Sequence, residues 1–291
     1  MLKYMWGGIM EILQLRYFCD ASETQNFSQT AKKFMVPPST VSQTIRRLEK
    51  ELGVTLFERK SNKISLNDDG RIFYNAVKQS KNLIKQARNI IEDKEGLIHG
   101  EISILVLCNR RIVTEAVKLF NQKYPQVAFE ITHQFSTEKE FDIIISDRDL
   151  WGGKLNKKEI INEDIAIAIP KFHPLYGEKD INISKLANDK FITMHSDGSL
   201  YNLTVEICEN AGFKPNISIQ CDDPYYTRKY VEMGLGIAFY PVFSWKNLFS
   251  DKTASIKLKG ITRKTYIFHD SSRYVTKAVK TFKEILFNLC K

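Results

Sequence analysis

The sequence predicts a chain of mixed α+β and α/β class, with a small helical unit, one long helix and a larger α/β unit. Three observations support this organisation. The chain has 291 residues, which is more than one compact core usually organises. Apolar residues recur at helical spacing up to about residue 96, whereas strands alternate with helices from residue 101 onward. Gly96 and Gly100 lie between the two patterns and mark the expected boundary.

The composition is that of a folded protein without a membrane segment. Hydrophobic residues make up 43% and charged residues 26% of the chain, so disorder is not expected. The longest apolar stretches, 165–170 and 237–243, are too short to cross a bilayer. Residues 1–9 lack the apolar core of a secretory signal. We therefore expect a cytoplasmic protein with no membrane partner, and we interpret Met10, where amphipathic order begins, as the start of translation.

No residue pattern predicts catalysis, a metal site or a cofactor. The five cysteines contain no Cys-x-x-Cys pair, which argues against zinc and against a disulfide framework. The sequence also lacks a nucleophile elbow, a phosphate-binding loop and a dinucleotide fingerprint. We expect buried or incidental thiols in a reducing compartment. They are Cys19, Cys108, Cys208, Cys221 and Cys290.

Three short helices are predicted within residues 10–67. The first covers about 12–21. Ser28 is predicted to cap the second, and the Pro37-Pro38 step stops it, because proline cannot donate the helical hydrogen bond. The buried side of this second helix is predicted to be Ala31, Phe34 and Met35.

The third helix begins at Pro38 or Ser39 and ends at Gly53. At 100° per residue its two faces differ sharply. The apolar face comprises Val41, Ile45, Leu48 and Leu52, and the polar face comprises Ser39, Gln43, Arg46, Arg47 and Lys50. Residues 54–67 then predict a short strand, a basic turn and a second short strand.

Two helices joined by a short turn, with a polar second helix, describe a helix-turn-helix. Residues 26–63 carry eight basic and three acidic side chains, which favours a phosphate-bearing partner. Gln43 and Arg46 are suited to hydrogen-bond base edges in the major groove. Other polar and basic residues of this region are suited to contact phosphate and sugar, or to form a basic wing on the DNA backbone. The predicted DNA-binding residues are Ser28, Pro38, Ser39, Thr40, Ser42, Gln43, Arg46, Arg47, Lys50, Arg59, Lys60 and Lys63. The alternative is an amphipathic helix with a solvated charged face; the coincidence of turn, caps, glycine and basic excess favours DNA binding.

A long helix is predicted over 68–96. Asn67 is the expected cap, and Asp68 and Asp69 place negative charge in the first turn, where the helix dipole favours it. An apolar stripe keeps near-heptad spacing for about three heptads, the lower limit for a coiled coil. The stripe comprises Phe73, Val77, Ser80, Ile84, Ala87 and Ile91, flanked by Ile72, Ala76, Leu83 and Ile90.

Beyond this helix, strands separated by helices predict parallel sheets that are covered on both faces. The predicted strands include 101–107, 127–135, 141–146 and 163–170. The predicted helices cover 111–123, 200–211, 224–233 and 275–290.

A long and correctly spaced set of residues matches a known family. The set is Phe27-Ser28, Ala31, Val36, Ser39 to Ser42, Ile45, Leu48-Glu49, Leu52-Gly53-Val54, Leu56-Phe57, Arg59 and Leu66 to Gly70. With it, residues 11–70 resemble the N-terminal domain of LysR-type transcriptional regulators. The later segments 173–175, 211–215 and 234–241 extend the resemblance over nearly the full chain.

The resemblance implies three parts. These are a winged helix-turn-helix over 10–67, a linker and dimerisation helix over 68–96, and an effector-binding domain over 99–291 that resembles a periplasmic solute-binding protein. Its first subdomain would comprise about 99–162 and 266–291, and its second about 163–265. The implied partners are double-stranded DNA, a small-molecule effector, and further copies of the chain in a homodimer or homotetramer.

Three features depart from the family pattern. Many members have Ser-Gln in place of Pro37-Pro38 and an arginine in place of Gln43. Gln43 as an adenine reader is therefore a hypothesis for this chain. Residues 136–140 are shorter than the family's usual helix there, which predicts an altered wall or dimer contact.

Effector-binding residues are expected beyond the carboxyl ends of strands, where helix N-termini offer free amides. The candidates are Asn109, Arg110, His195, Ser196, Ser199, Asp222, Asp223, Phe239 and Pro241. If Arg110 faces the cleft, it favours an anionic effector. Each candidate has an alternative: Ser199 and Asp223 could simply cap helices, and His195 could be an ordinary loop residue.

Three other classes of protein are weaker readings of the sequence. An enzyme would need one of the missing catalytic motifs. A transport-linked solute-binding protein would need an export signal. A molybdate-type regulator has a similar N-terminal domain, but its ligand domain is a small barrel and not a series of strands and helices.

Overall fold

A computed structural model describes residues 10–290 except 61–62, 95, 97, 136–139, 196–197 and 248, and leaves the side chains of residues 59, 60 and 63 undescribed. The chain forms two compact units that divide between Ile91 and Glu92. Within the described residues, every helix is too short or too polar to cross a membrane. The expectations for residues 1–9 and 136–139 lie outside the described part.

The first unit has the predicted order of three short helices, a hairpin and a long helix. Its elements are α1 (Ile12–Thr24), α2 (Phe27–Lys33), α3 (Pro38–Leu52), β1 (Phe57–Lys60), β2 (Lys63–Leu66) and α4 (Asp68–Lys94). The two strands pair antiparallel. α4 continues across the division into the second unit, and its cap is as predicted, since Gly70 N donates to Asn67 Oδ1 at 2.7 Å.

A small aromatic core holds α3 in place. Phe18 of α1 is fully buried and packs against Phe57 and Phe73, with ring centroids 5.6 and 5.2 Å away. Val41 and Ile45, on the apolar face of α3, are also fully buried in this core. Burial of one face fixes the opposite, polar face of α3 toward solvent.

Two local predictions for α2 are wrong. Asn26, and not Ser28, caps the helix, because its Oδ1 accepts hydrogen bonds from Ser28 N at 2.9 Å and Gln29 N at 3.1 Å. Met35 is 91% exposed and not buried. The chain leaves the helix at Met35 in a left-handed conformation (φ 54°), which turns its side chain away from the core so that Val36 N can bond Ala31 O.

Gly70→Ala is expected to destabilise the first unit more than Gly53→Ala. A Cβ at Gly70 would lie 2.1 Å from Leu56 O, a backbone atom, so the hairpin and α4 must move apart at a cost of about 1–3 kcal/mol or more. Gly53 has φ 74° with open space around it, so its substitution costs only about 1 kcal/mol of conformational strain. Urea unfolding followed by circular dichroism checks this order. A smaller loss for Gly70→Ala would contradict the packing described.

The second unit contains eight strands and four helices within the described residues. They are β3 (Glu101–Val106), α5 (Arg110–Lys123), β4 (Ala128–Thr132), β5 (Ile143–Ser146), β6 (Asn156–Pro170), β7 (Lys190–Met194), α6 (Ser199–Asn210), β8 (Asn216–Cys221), α7 (Pro224–Glu232), β9 (Ala238–Pro241), β10 (Thr253–His269) and α8 (Lys277–Leu289). A 3₁₀ turn covers Ile183–Leu186.

The sheets are mixed, so the prediction of parallel sheets is only partly right. Strand order is β4-β3-β5-β10-β6-β9 in one sheet and β7-β8 in the other. β3 is parallel to β4 and β5, and β7 is parallel to β8. β10 is antiparallel to β5 and β6, and β6 to β9. Most of β10 was not predicted, because its alternating polar residues and Gly260 do not form an apolar run.

Two apolar cores lie on the long strand pair β6–β10. One includes Ile102, Phe120 and Phe282, and the other includes Phe191 and Phe239. We call the parts around them the first half and the second half of this unit. Between them the β6–β10 register shifts, at 257–262 of β10. The long strands thus cross from one half to the other at an irregular point.

Candidate functional site

The exposed face of α3 is the first candidate site. The side chains on it are exposed, whereas Thr40 and Ser42 are half-buried. Arg47 Nη1 lies 4.0 Å from Glu11 Oε1, a weak surface pair. Within the described residues, Gln43, Arg46 and Lys50 have no protein partner. We call Ser39, Gln43, Arg46, Arg47 and Lys50 the α3 surface.

The remaining predicted DNA-binding residues lie near the start of α2, at the start of α3 and in the hairpin. Ser28 and Pro38 are exposed. Lys60 of β1 pairs in register with Lys63 of β2, so the hairpin is formed as predicted. The side chains of Arg59, Lys60 and Lys63 and the turn at 61–62 lie outside the described part, and their contacts stay predictions.

The apolar stripe of α4 is largely exposed. Leu83, Ile84 and Ile91 are 66%, 68% and 64% exposed, whereas Val77 is buried. Large apolar side chains clustered on one helix and left in water mark an interaction surface. We call the exposed residues Ile72, Leu83, Ile84, Ile90 and Ile91 the α4 stripe.

A cavity in the second unit is the second candidate site. Its volume is about 340 Å³, within the size range of small-molecule sites. It lies just beyond the carboxyl end of β3 and beside the starts of α5, α6 and α7, where the sequence predicts a ligand. The lining residues are Leu107, Cys108, Asn109, Arg110, Arg111, Met194, Gly198, Ser199, Leu200, Pro224, Ser244, Trp245, Lys246 and Arg263.

Three of the predicted effector residues line this cavity: Asn109, Arg110 and Ser199. The described wall does not include His195, Asp222, Asp223, Phe239 or Pro241, and Ser196 lies outside the described part.

The structure gives some of these residues other contacts. Asp223 caps α7, since its Oδ1 accepts from Tyr225 N at 2.7 Å. Phe239 is buried in the core of the second half, with its ring 5.6 Å from that of Phe191. Pro241 is buried at the end of β9, where it pairs with Ile165. Asp222 and His195 are exposed.

A buried ionic network forms the floor of the cavity. Arg263 Nη2 lies 2.8 Å from Glu163 Oε1, and Arg263 Nη1 lies 3.3 Å from Asp147 Oδ2. The three side chains are 9%, 1% and 7% exposed, in the order Arg263, Glu163, Asp147. Two carboxylates therefore share one guanidinium in a poorly solvated position, where charge pairing matters most.

Further hydrogen bonds complete the floor. Ser244 N donates to Glu163 Oε2 at 2.7 Å, and Asn109 Nδ2 donates to Thr265 Oγ1 at 2.7 Å. Ser244 Oγ accepts from Arg263 Nη2 at 2.8 Å. These bonds connect the ends of β3 and β9 to the β6–β10 pair, so the floor joins the two halves of the unit.

The charge of the cavity wall favours an anion. Among the described lining residues, every ionised side chain is a cation: Arg110, Arg111, Lys246 and Arg263. The floor carboxylates Glu163 and Asp147 offset the charge of Arg263, which leaves Arg110, Arg111 and Lys246 as the cations that favour an anion. Arg111 is held in place by its bond to Phe243 O at 3.0 Å and by its position over the Phe243 ring. The N-termini of α5 and α6 also lack a cap from the side chain of their N-cap residue, and uncapped helix N-termini attract negative charge.

Cys108 is the one cysteine in the described wall, and it is chemically quiet. Burial raises the pKa of its thiol to about 12, with Asp147 adding to the rise. A thiol with such a pKa stays protonated at neutral pH and is a weak nucleophile.

The floor residues Asp147, Glu163, Ser244 and Arg263 were not predicted from the sequence. A signal for two of them was present. Glu163 shares the inward parity of Ile161 and Ile165 in β6, and Arg263 shares the buried parity of β10 and lies opposite Glu163 in register. Opposite charges at inward positions of strands indicate a buried pair, but the pairing of β6 with β10 was not predicted.

An exposed polar helix of a winged helix-turn-helix, followed by an α/β unit with a ligand-sized cavity, defines a ligand-responsive DNA-binding regulator. The comparison with family models agrees. A model described as the LysR substrate binding domain matches residues 96–291, and one described as a bacterial regulatory helix-turn-helix protein of the lysR family matches residues 12–71.

Relatives and solved structures point the same way. The HTH-type transcriptional regulator ShiR of Corynebacterium glutamicum (strain R) is 32% identical over 79% of this chain and 82% of that protein. The HTH-type transcriptional regulator AlsR of Bacillus subtilis (strain 168) is 28% identical over 83% of each. The crystal structure of full-length CbnR complexed with its target DNA gives a TM-score of 0.69 at 17% identity, covering 96% of this chain and 99% of that one.

The chain belongs to the LysR family of transcriptional regulators. Its members bind DNA through the helix-turn-helix and a small-molecule effector through the substrate-binding domain, and they act as oligomers. The predictions of family, fold class and regulatory function are confirmed, including the reading as a regulator and not an enzyme.

Proposed function

We propose that the α3 surface enters the major groove of DNA and that an anionic effector in the 340 Å³ cavity controls the outcome. The observation that carries the first part is the division of α3 into a buried apolar face and an exposed polar face, on which Gln43, Arg46 and Lys50 have no protein partner within the described residues. Side chains that bond no other protein group can reach base edges without first breaking a contact.

Each residue of the α3 surface has a chemical role in this proposal. Gln43 has the amide geometry that pairs with adenine N6 and N7, and Arg46 has the guanidinium geometry that pairs with guanine O6 and N7. Ser39, Arg47 and Lys50 hold phosphate and sugar, which positions the helix without reading sequence. Ser28, Pro38, Thr40, Ser42, Arg59, Lys60 and Lys63 complete the contact surface.

The α4 stripe supplies the dimer contact. Burying it against the same stripe of a second copy removes apolar area from water, at about 25 cal/mol per Å². Two recognition helices would then meet successive major grooves of an interrupted palindrome, as a homodimer or as a pair of dimers. In this scheme residues 10–67 form the DNA-binding domain, residues 68–96 form the linker and dimerisation helix, and residues 99–291 form the effector-binding domain. The protein acts in the cytoplasm.

The effector is proposed to be a small anion. Arg110 is exposed in the cavity wall, and within the described residues no carboxylate neutralises it, so it can bind a carboxylate or similar group. Asn109 and Ser199 add hydrogen-bonding groups beside it. The other candidates, His195, Ser196, Asp222, Asp223, Phe239 and Pro241, have no direct contact with the effector in this proposal. A ligand that touches both halves can shift their arrangement, and with it the spacing of the subunits.

Gln43→Ala is expected to relax sequence discrimination while preserving DNA binding. Loss of a bidentate base contact removes about 1–3 kcal/mol of preference at one base pair. Selection of binding sites from randomised versions of the chain's own upstream DNA, read by electrophoretic shift, measures this. Lys118→Ala, an exposed cation on α5, is the control and should leave the preference unchanged. An unchanged preference in Gln43→Ala would reject the role of Gln43, and absence of any shift by the parent would reject the proposed function.

A further inference from the structure

The start of α6 already holds a carboxylate of the protein itself. Ser199, the first residue of α6, donates a hydrogen bond from its hydroxyl group to Asp147 Oδ2. Asp147 follows β5 in the first half, whereas α6 belongs to the second half. The contact therefore crosses the cavity region and joins the two halves at the helix N-terminus where an anion is most favoured.

Asp147 is the less firmly held of the two floor carboxylates. Glu163 accepts hydrogen bonds from Ser244 N at 2.7 Å and from Arg263 Nη2 at 2.8 Å. Asp147 has a longer contact with Arg263, 3.3 Å, and the Ser199 hydroxyl. The floor has two carboxylates and one guanidinium, so Glu163 alone can balance the charge of Arg263. Moving the Asp147 side chain away from Arg263 therefore costs less free energy than moving that of Glu163.

The guanidinium of Arg263 also has a hydrogen-bond donor without an acceptor. Arg263 lines the cavity and is nine-tenths buried, yet its Nε has no hydrogen-bond partner among the described residues. A buried donor without an acceptor is costly, and a ligand oxygen would satisfy it. Ser199 and Arg263 are thus two donors in the cavity wall, one occupied by Asp147 and the other incomplete.

We propose that Asp147 is an internal substitute for the effector: its carboxylate holds Ser199 and Arg263 in the ligand-free cavity, and the anionic effector displaces it. This rests on the proposed effector site and specifies the ligand as an oxyanion that accepts from Ser199 and Arg263. Displacement replaces a direct contact between the two halves by one through the ligand. The Asp147–Ser199 contact is therefore the element that ligand binding changes.

The test uses Trp245, which lines the cavity, as the only tryptophan of the full-length chain, with Trp6 and Trp151 replaced by Phe. We call this single-tryptophan chain the parent and introduce Asp147→Asn or Ser199→Ala into it. Quenching of Trp245 fluorescence by acrylamide, a neutral probe, and by iodide, an anionic probe, is then compared among the three proteins. Ser199→Thr keeps the hydroxyl, and Asp251→Asn removes a carboxylate that is 90% exposed; both serve as controls. Thermal unfolding verifies that each variant is folded.

Loss of the contact should open the cavity. Asp147→Asn and Ser199→Ala should each raise acrylamide quenching at least about threefold, because a hydrogen bond to a charged group biases such an equilibrium strongly. Iodide quenching should rise most in Asp147→Asn, whereas both controls should match the parent. Equal acrylamide quenching in all variants would overturn the proposal, and so would a rise with iodide alone, which reflects only lost charge repulsion. If Asp147→Asn does not fold, Ser199→Ala decides. An electrophoretic shift assay of the parent with the chain's own upstream DNA tests the proposed function separately.

Discussion

Arg46→Ala should weaken binding to the chain's own operator about fivefold to 150-fold, because a bidentate base contact is worth roughly 1–3 kcal/mol. Arg46 is exposed on α3 between the buried residues Ile45 and Leu48, and it has no partner within the described residues. Its truncation therefore removes a contact to DNA without disturbing a contact in the protein. Fluorescence anisotropy with labelled operator DNA at fixed salt measures the loss.

The salt dependence separates base contact from charge. Lys50→Ala, which removes one phosphate contact, should weaken all DNA sequences alike and lower the salt slope by about one. Arg46→Ala should instead lose more affinity for the operator than for random DNA. Equal losses on both DNAs would show that Arg46 contacts only the backbone. Lys118→Ala should change neither quantity.

Arg263→Leu should cost the second unit about 3–5 kcal/mol of unfolding free energy, since it leaves two buried carboxylates without their cation. Glu163 and Asp147 are almost fully buried beside it. Adding Glu163→Leu should recover part of the loss by removing one of the two unpaired charges. Urea unfolding followed by tryptophan fluorescence checks this, because Trp151 and Trp245 both lie in the second unit.

Lys264→Leu is the matched control. Lys264 is the next residue of β10, but its side chain is 50% exposed and pairs with Glu159 at the surface. Removing an exposed pair costs at most about 1 kcal/mol. If Arg263→Leu proves no more destabilising than Lys264→Leu, the floor of the cavity is not held by the ionic network.

The first unit follows closely from local sequence signals. Pro38 begins α3, and Gly53 ends it with φ 74°. The 3.6-residue spacing of Val41, Ile45 and Leu48 correctly predicted the buried face. The cap of α2 was assigned wrongly because Asn26 and Ser28 are both good capping residues, and only the backbone conformation decides between them.

The second unit depends on long-range pairing that local patterns do not contain. β6 and β10 lie far apart in the chain, and their pairing brings Glu163 opposite Arg263. The cavity was correctly expected at strand ends and helix starts, and Asn109, Arg110 and Ser199 do line it. Its floor required knowledge of which strands pair, as did the contact between Asp147 and Ser199.

Dimethyl sulfate footprinting on the chain's own upstream DNA tests the placement of the α3 surface most directly, because the reagent methylates guanine at N7 in the major groove and adenine at N3 in the minor groove. We expect protected guanine N7 positions in two half-sites, about one helical turn or a multiple of it apart. This protection should be lost selectively in Arg46→Ala. Protection confined to adenine N3, or unchanged guanine protection in Arg46→Ala, would show that the α3 surface does not lie in the major groove.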